Sequence, residues 1–275
     1  MNRLVVVVQV LLFSSLLVGQ SRSVSAALDA PMFAAVLADG TPQLPMPSQS
    51  VPDLAPAVSV PRMSPELALA TYLKRASAQS QGLAGYSSAV VVRAELPSSS
   101  QHGEFELERH FTAPRTLTFK ALHYMGDTFV KTNVIARVLQ SEVDHVQKDD
   151  PALTAITQEN YKFSHKNTVQ LSGRTVHEYQ VKPLKKRLGL FKGRIYVDAY
   201  TGSLVRVEGR VVKSPSIFVK KIDFVQDYAD VSSFMLPVHL HTEAKATLVG
   251  RTIVDIENRD YQAIPAPVES GSGTF

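Results

Sequence analysis

GEFELERHFTAPRTLTFKALHY, residues 103–124, decides the fold. In an extended chain Phe105, Leu107 and Phe111 fall on one face, and Glu104, Glu106, Glu108 and His110 on the other. Pro114 breaks the run, after which Leu117, Phe119 and Ala121 repeat the alternation. A period of two predicts antiparallel strands with one face against a core and the other in water.

Downstream the period changes once. In NVIARVLQSEVDHVQ, residues 133–147, Val134, Ile135, Val138, Leu139, Val143 and Val146 recur at helical spacing, and Lys148-Asp149-Asp150-Pro151 stops the run. The strand period then returns. Ile195 and Val197 share a face, Thr201-Gly202 marks a turn, and Val205 and Val207 continue beyond it. Phe218, Ile222 and Phe224 follow after a turn at Lys213 to Ser216. Beyond Pro237, Val238, Leu240, Ala244, Ala246 and Leu248 alternate with His239, His241, Glu243 and Lys245.

Upstream, Ser64-Pro65-Glu66 reads as a helix start: Ser as N-cap, Pro at the first helical position, an acid near the positive end of the dipole. Leu67, Ala70, Leu73 and Ala76 recur on one face, and Gly82 ends the helix. Residues 27–63 are rich in Pro, Ala and Ser and read as an extended tether. Met1-Asn2-Arg3 followed by the apolar run Leu4 to Val18 and small residues at Val24 to Ala27 predicts a secretory signal over residues 1–26. The expected folded unit is residues 64–262, with a loose tail at 263–275. The fold class that follows is mainly β (α+β): a curved antiparallel sheet or incomplete β-barrel covered by helices.

The chain has no cysteine, which excludes disulfides, thiol catalysis and lipid attachment at a thiol. Its formal charge of +4 is too slight for a nucleic-acid binder, which needs a dense basic face. His239, His241 and Glu243 point the same way from a strand and could chelate zinc, but they equally make the solvent side of an alternating strand, and no further ligand set accompanies them. No Gly-x-Ser-x-Gly elbow, His-Glu-x-x-His motif or phosphate-binding Gly loop occurs. The expectation is a non-enzymatic protein with no metal and no cofactor.

LKKRLGLFKGR, residues 184–194, places Lys185, Lys186, Arg187 and Lys192 in a loop that feeds a hairpin. It reads either as a solvated loop or as a rim that meets a lipid headgroup or a membrane surface. Leu188, Leu190 and Phe191 lie between the charges, so the same loop could touch acyl chains.

FELERHFTAPRTLTF, then GDTFV, a helix, YQVKPLKKRLGLFKGRIYVDAYTGSLVRVEGR and FMLPVHLH, in that order, resemble the LolA/LolB-like superfamily of periplasmic lipoprotein-sorting proteins, which also includes the RseB/MucB sensors. The resemblance spans residues 64–262, and its best parts are the turn Val197, Asp198, Thr201, Gly202 and the step Phe111 to Pro114. It implies an incomplete barrel that holds acyl chains under a helical lid. The family's soluble carrier places a gating arginine before that proline; here the position is Ala113, with Arg109 and Arg115 nearby but not matching. The family's anchored acceptor has a lipidated cysteine, which this chain lacks.

The expected function is a periplasmic or secreted carrier of lipid or lipoprotein acyl chains; the alternative is a protein-interaction or stress-sensor module of RseB/MucB type. The expected ligand-binding residues are Phe105, Leu107, Phe111, Leu117, Phe119, Ile195, Val197, Val205, Phe218, Ile222 and Phe224, all on the concave side of the sheet. The helix at 134–147 is expected to be the lid. Acyl chains, with transient contact to an anionic membrane surface or a membrane protein, are the expected partners of a monomer.

Overall fold

Ten antiparallel strands form one open sheet in the computed structural model, which describes residues 61–214, 219–247 and 250–267. The expected signal, nearly all of the tether, Phe218, Leu248 and the last eight residues lie outside the described residues. Helix α1 (Pro65–Gly82) leads into β1 (Leu83–Leu96), β2 (Gln101–Thr112) and β3 (Thr116–Gly126). A short α2 (Thr128–Val130) passes through a π-helical segment (Lys131–Ile135) into α3 (Ala136–Lys148). Then come β4 (Tyr161–Leu171), β5 (Arg174–Pro183), β6 (Phe191–Asp198), β7 (Leu204–Val211), β8 (Val219–Val231), β9 (Phe234–Ala246) and β10 (Gly250–Pro265).

The strand order is β3-β2-β1-β10-β9-β8-β7-β6-β5-β4. Two consecutive runs, β1 to β3 and β4 to β10, are therefore joined where the first strand pairs with the last, Val92 opposite Ile256. Strands β3 and β4 are neighbours in sequence but form the two edges, so the barrel is not closed. The connection between them must pass from one edge to the other, and it carries α2 and α3 over the apolar face. Both helices pack on that face. Ala68, Tyr72 and Ala76 of α1 and Val134, Ile135 and Val138 share one core with Val92, Leu107, Ile195 and Phe224. Each large apolar side chain so buried stabilises the fold by about 1.5–3 kcal/mol.

The start of α1 is as the sequence predicts: Ser64 Oγ accepts from the Leu67 N–H at 3.3 Å and Pro65 occupies the first turn. The buried face is so only in part. Ala76 is buried and Leu73 packs at the margin of the core, but Leu67 is 55% exposed and Ala70 is exposed, while Ala68, Tyr72 and Gln79 face the sheet. Small alanines let the helix approach closely, and one large ring fills the space between them. Gln79 completes the contact by bonding like a strand neighbour, Nε2 donating to Met235 O at 3.1 Å and Oε1 accepting from Met235 N at 2.7 Å.

The Val197–Gly202 motif has a clear physical basis. Asp198 accepts at one carboxylate oxygen from the N–H groups of Tyr200 and Thr201, both at 2.9 Å, and at the other from Arg174 Nε at 2.9 Å. Burial pushes this carboxyl up, but those donors outweigh it and hold it below its ordinary value. Gly202 sits at φ +67°, and a Cβ there would lie 2.5 Å from Thr71 Cγ2, so only glycine lets α1 rest on the turn.

The hairpin β4–β5 is absent from the sequence reading. Most of β4 is exposed, so its side chains carry no apolar alternation. The final strand continues to Pro265, three residues past the boundary expected at 262.

Candidate functional site

The inner face of β2 contains an outlier. Arg109 stands two residues from Leu107 and two from Phe111, and so shares their face; it is fully buried. Its Nη1 donates to Asn258 Oδ1 on β10 at 3.0 Å, and its Nη2 donates to Glu142 Oε2 on α3 at 2.7 Å. The guanidinium carbon lies 5.4 Å from the centre of the Phe119 ring. Glu142 is only 3% exposed. Arg109 Nε and Glu142 Oε1 have no hydrogen-bond partner.

The electrostatics follow from this geometry. Burial raises Glu142, and the neighbouring arginine opposes that shift. Burial would lower Arg109, but the Glu142 carboxylate, with smaller effects of Tyr86 and Tyr261, holds it above its ordinary value. A buried ion pair is roughly neutral or worse against apolar residues of the same volume, whereas removing one partner costs about 3–5 kcal/mol. The pair therefore adds little net cohesion to the contact between α3 and the sheet.

Around this pair lie most of the side chains expected on the inner face. Leu107, Ile195, Val197, Ile222 and Phe224 belong to the main core, with Phe105 and Phe119 packed at its margin. Phe111 and Leu117 form an adjoining cluster with Leu83, Tyr86 and Leu236, against which Val143 and Val146 of α3 pack. Val205 does not join them. The register slips between Tyr196 and Val197, so that Leu204 pairs with Val197 and Val207 with Ile195. Val205 is the extra residue of this bulge, and it packs with Tyr196 and Val176 on the outer face.

The helix expected at 134–147 is present and buries Val134, Ile135, Val138 and Leu139, but its first two residues belong to the π-helical segment Lys131–Ile135. Such segments are frequent at functional sites.

Arg109, Glu142 and Asn258 escape a reading that sorts residues only by hydrophobic period. The signal was nevertheless there. Arg109 occupies an apolar position of an alternating strand, and Glu142 continues the stripe of Val138 and Leu139.

On the outer face, His239 and His241 pair with carboxylates: His241 Nδ1 lies 2.8 Å from Asp255 Oδ1, and His239 Nε2 lies 3.5 Å from the same oxygen. Among the described residues no group of three or more such side chains converges as a metal site would require. Also on this face, Lys185, Lys186 and Lys192 border an open groove of about 690 Å³ at the ends of β5 and β6. Arg187 is not part of it; its Nη1 donates to Leu153 O at 3.3 Å.

The fold and site thus define an open antiparallel sheet whose apolar face is covered by two helices, one of them held through a buried ion pair. Comparison with known proteins adds the following. Similar solved structures include the LolA superfamily protein NE2245 from Nitrosomonas europaea, at 9% identity over 72% of this chain and 94% of that one, with a TM-score of 0.37. A DUF1329 family protein from Desulfovibrio piger has 10% identity over 75% and 93% of the two chains, with a TM-score of 0.38. MucB has 11% identity over 70% and 93%, with a TM-score of 0.26. No protein-family model and no curated protein matches the chain. Among the described residues no helix is long and apolar enough to cross a membrane, which says nothing of strands.

Proposed function

We propose that the protein is a non-enzymatic, exported carrier of apolar ligands, binding lipid or lipoprotein acyl chains on the inner face of its sheet when α2 and α3 lift away. The observation that supports this reading is the Arg109–Glu142 pair, buried between sheet and helix with two polar atoms unpaired. A seam that stays closed gains nothing from such a pair over leucine and methionine. A seam that opens does gain, because both charges are solvated again on opening, which offsets part of the cost of exposing apolar surface. The pair also restores one register on closing. Beneath the helix, Leu107, Ile195, Val197, Ile222 and Phe224 offer the apolar surface an acyl chain needs.

A titration of the full chain with a fluorescent fatty acid tests this, combined with mass spectrometry of lipids extracted from the purified protein. Micromolar saturable binding with a co-purifying lipid is expected. No binding at that level, with α2–α3 exchanging amide hydrogens as slowly as β6, would overturn the reading and favour the protein-interaction module.

A further inference from the structure

On most of the outer face, cations meet acids across strands. Arg93 of β1 bridges Glu104 and Glu257, at 2.5 and 2.8 Å. Arg206 pairs with Asp227 at 2.5 Å, Arg210 with Asp223 at 2.6 Å and Arg251 with Glu243 at 2.6 Å. Cross-strand pairs of opposite charge stabilise a sheet modestly, and like charges opposite one another destabilise it. The end of the sheet formed by β4, β5 and β6 departs from this pattern. Lys162 stands directly opposite Lys182. Lys182 and Lys192 lie one position beyond the last β5–β6 pair, Val181 opposite Gly193, on the face of Gln180 and Arg194. Lys185 and Lys186 extend from the following loop. Five of the residues lining the groove are cations, and none is an acid. Arg194 among them is turned towards Glu178 and Glu208, at 3.4 and 3.5 Å, whereas among the described residues the four lysines make no ion pair.

The same rim carries exposed apolar side chains. Leu184, which lines the groove, is 57% exposed, and Leu188 farther along the loop is 39% exposed. The groove's volume of about 690 Å³ lies in the range of small-molecule sites, roughly 300–1,000 Å³. Lysines that face no acid among the described residues leave a place for an anion from outside. Exposed leucines beside them are satisfied by hydrocarbon and not by a soluble ion.

We infer that this groove docks the protein on an anionic membrane surface, with Lys182, Lys185, Lys186 and Lys192 holding headgroup phosphates and Leu184 and Leu188 entering the acyl boundary. The site lies on the outer face, so it requires no movement of α2 or α3, and it stands or falls apart from ligand binding on the inner face. Each lysine close to an anionic surface strengthens attachment about fivefold, and the effect weakens with salt.

The test is sedimentation of the full chain with phosphatidylcholine vesicles, with and without phosphatidylglycerol, across a salt series. Every comparison is between chains that share the apolar run near the N-terminus. The parent should bind the anionic vesicles in preference and release them with salt. A variant with Lys182→Gln, Lys185→Gln and Lys186→Gln should bind at least tenfold more weakly, and Leu184→Ser with Leu188→Ser severalfold more weakly, while Arg187→Gln stays close to the parent. All should keep the parent's circular dichroism and fatty-acid binding. The proposal is overturned if the lysine variant matches the parent, or if the parent binds neutral and anionic vesicles alike. It is also overturned if the leucine variant matches the parent and inorganic phosphate displaces the vesicles, which would make the groove a site for soluble phosphate.

Discussion

The two helices that cover the apolar face are held there by different means. Helix α1 is tied along its length. Met63 N donates to Ala199 O at 2.8 Å, His177 Nε2 lies 3.0 Å from Met63 O, and Tyr179 Oη donates to Pro65 O. In its middle Arg75 pairs with Asp230 at 2.8 Å, and near its end Gln79 bonds both backbone groups of Met235. Every one of these contacts satisfies its partner. Helix α3 has apolar packing, one buried ion pair with two unpaired atoms, and an exposed bond from Arg115 Nη1 to Gln147 O at 3.3 Å. One helix is tied in as structure; on the function proposed above, the other is the cover that lifts. Segments that move in function come from the low-stability end of a fold, and this difference separates the two.

The largest effect is expected at the buried pair. Arg109→Met leaves Glu142 buried without its cation and should lower stability by about 3–5 kcal/mol in urea unfolding, with α3 losing amide protection before α1. Adding Glu142→Leu to the same chain should restore most of that loss, because the apolar pair needs no hydrogen bonds. A double variant no more stable than Arg109→Met would show that the pair is structural glue and erase the contrast.

Gln79→Ala should cost about 1–3 kcal/mol, since it strands a buried N–H and a buried carbonyl of Met235. Here protection should fall in α1 and not in α3. Equal loss in both helices would mean that they move as one unit.

A smaller effect comes from pH. Burial lowers His177 below its ordinary value of 6.5, helped by the neighbouring His165 and Arg62 and opposed by the Met63 carbonyl and Glu66. Below pH 6.5 the unfolded chain therefore takes up this proton first. The contribution of the neutral ring is complete above that pH and is lost as pH falls towards the folded value. Stability should drop as pH falls below 6.5, by an amount that His177→Gln abolishes. An unchanged pH profile in that variant would remove the histidine from the anchoring of α1.

Leu67→Ser should change stability by no more than about 0.5 kcal/mol, because the side chain is exposed, whereas Ala68→Leu should destabilise by about 1–3 kcal/mol through overpacking. The reverse order would return α1 to the orientation its leucines suggest.

That orientation marks a limit of the sequence. The leucines of α1 are distributed round the helix, and the face that packs was chosen by fit: alanines where the backbone must come close, a tyrosine where a space must be filled. Strand β4 was missed for a related reason, since an edge strand with both faces largely wet shows no alternation. Val205 was misplaced because a single bulge shifts a residue to the other face, and a bulge is set by the pairing of two strands. By contrast, local chemistry was enough for the Ser64 cap, the Asp198 turn, the alternation of β2 and β3 and the stripe of α3. Each depends on residues within a few positions of one another, and the chain carries all of them.

What the sequence by itself determined is thus the open β architecture with a helical cover, the ends of its best-marked elements, and the presence of a basic loop. Only the tertiary structure decided that Arg109 and Glu142, 33 positions apart, meet inside the core. It likewise decided that Lys182 joins Lys185, Lys186 and Lys192 around one groove while Arg187 turns away. The physical reason is the same in both cases. A hydrophobic period reports which face a residue occupies, but which charges share a space depends on strand register and helix placement, and these are settled by packing across the whole sheet.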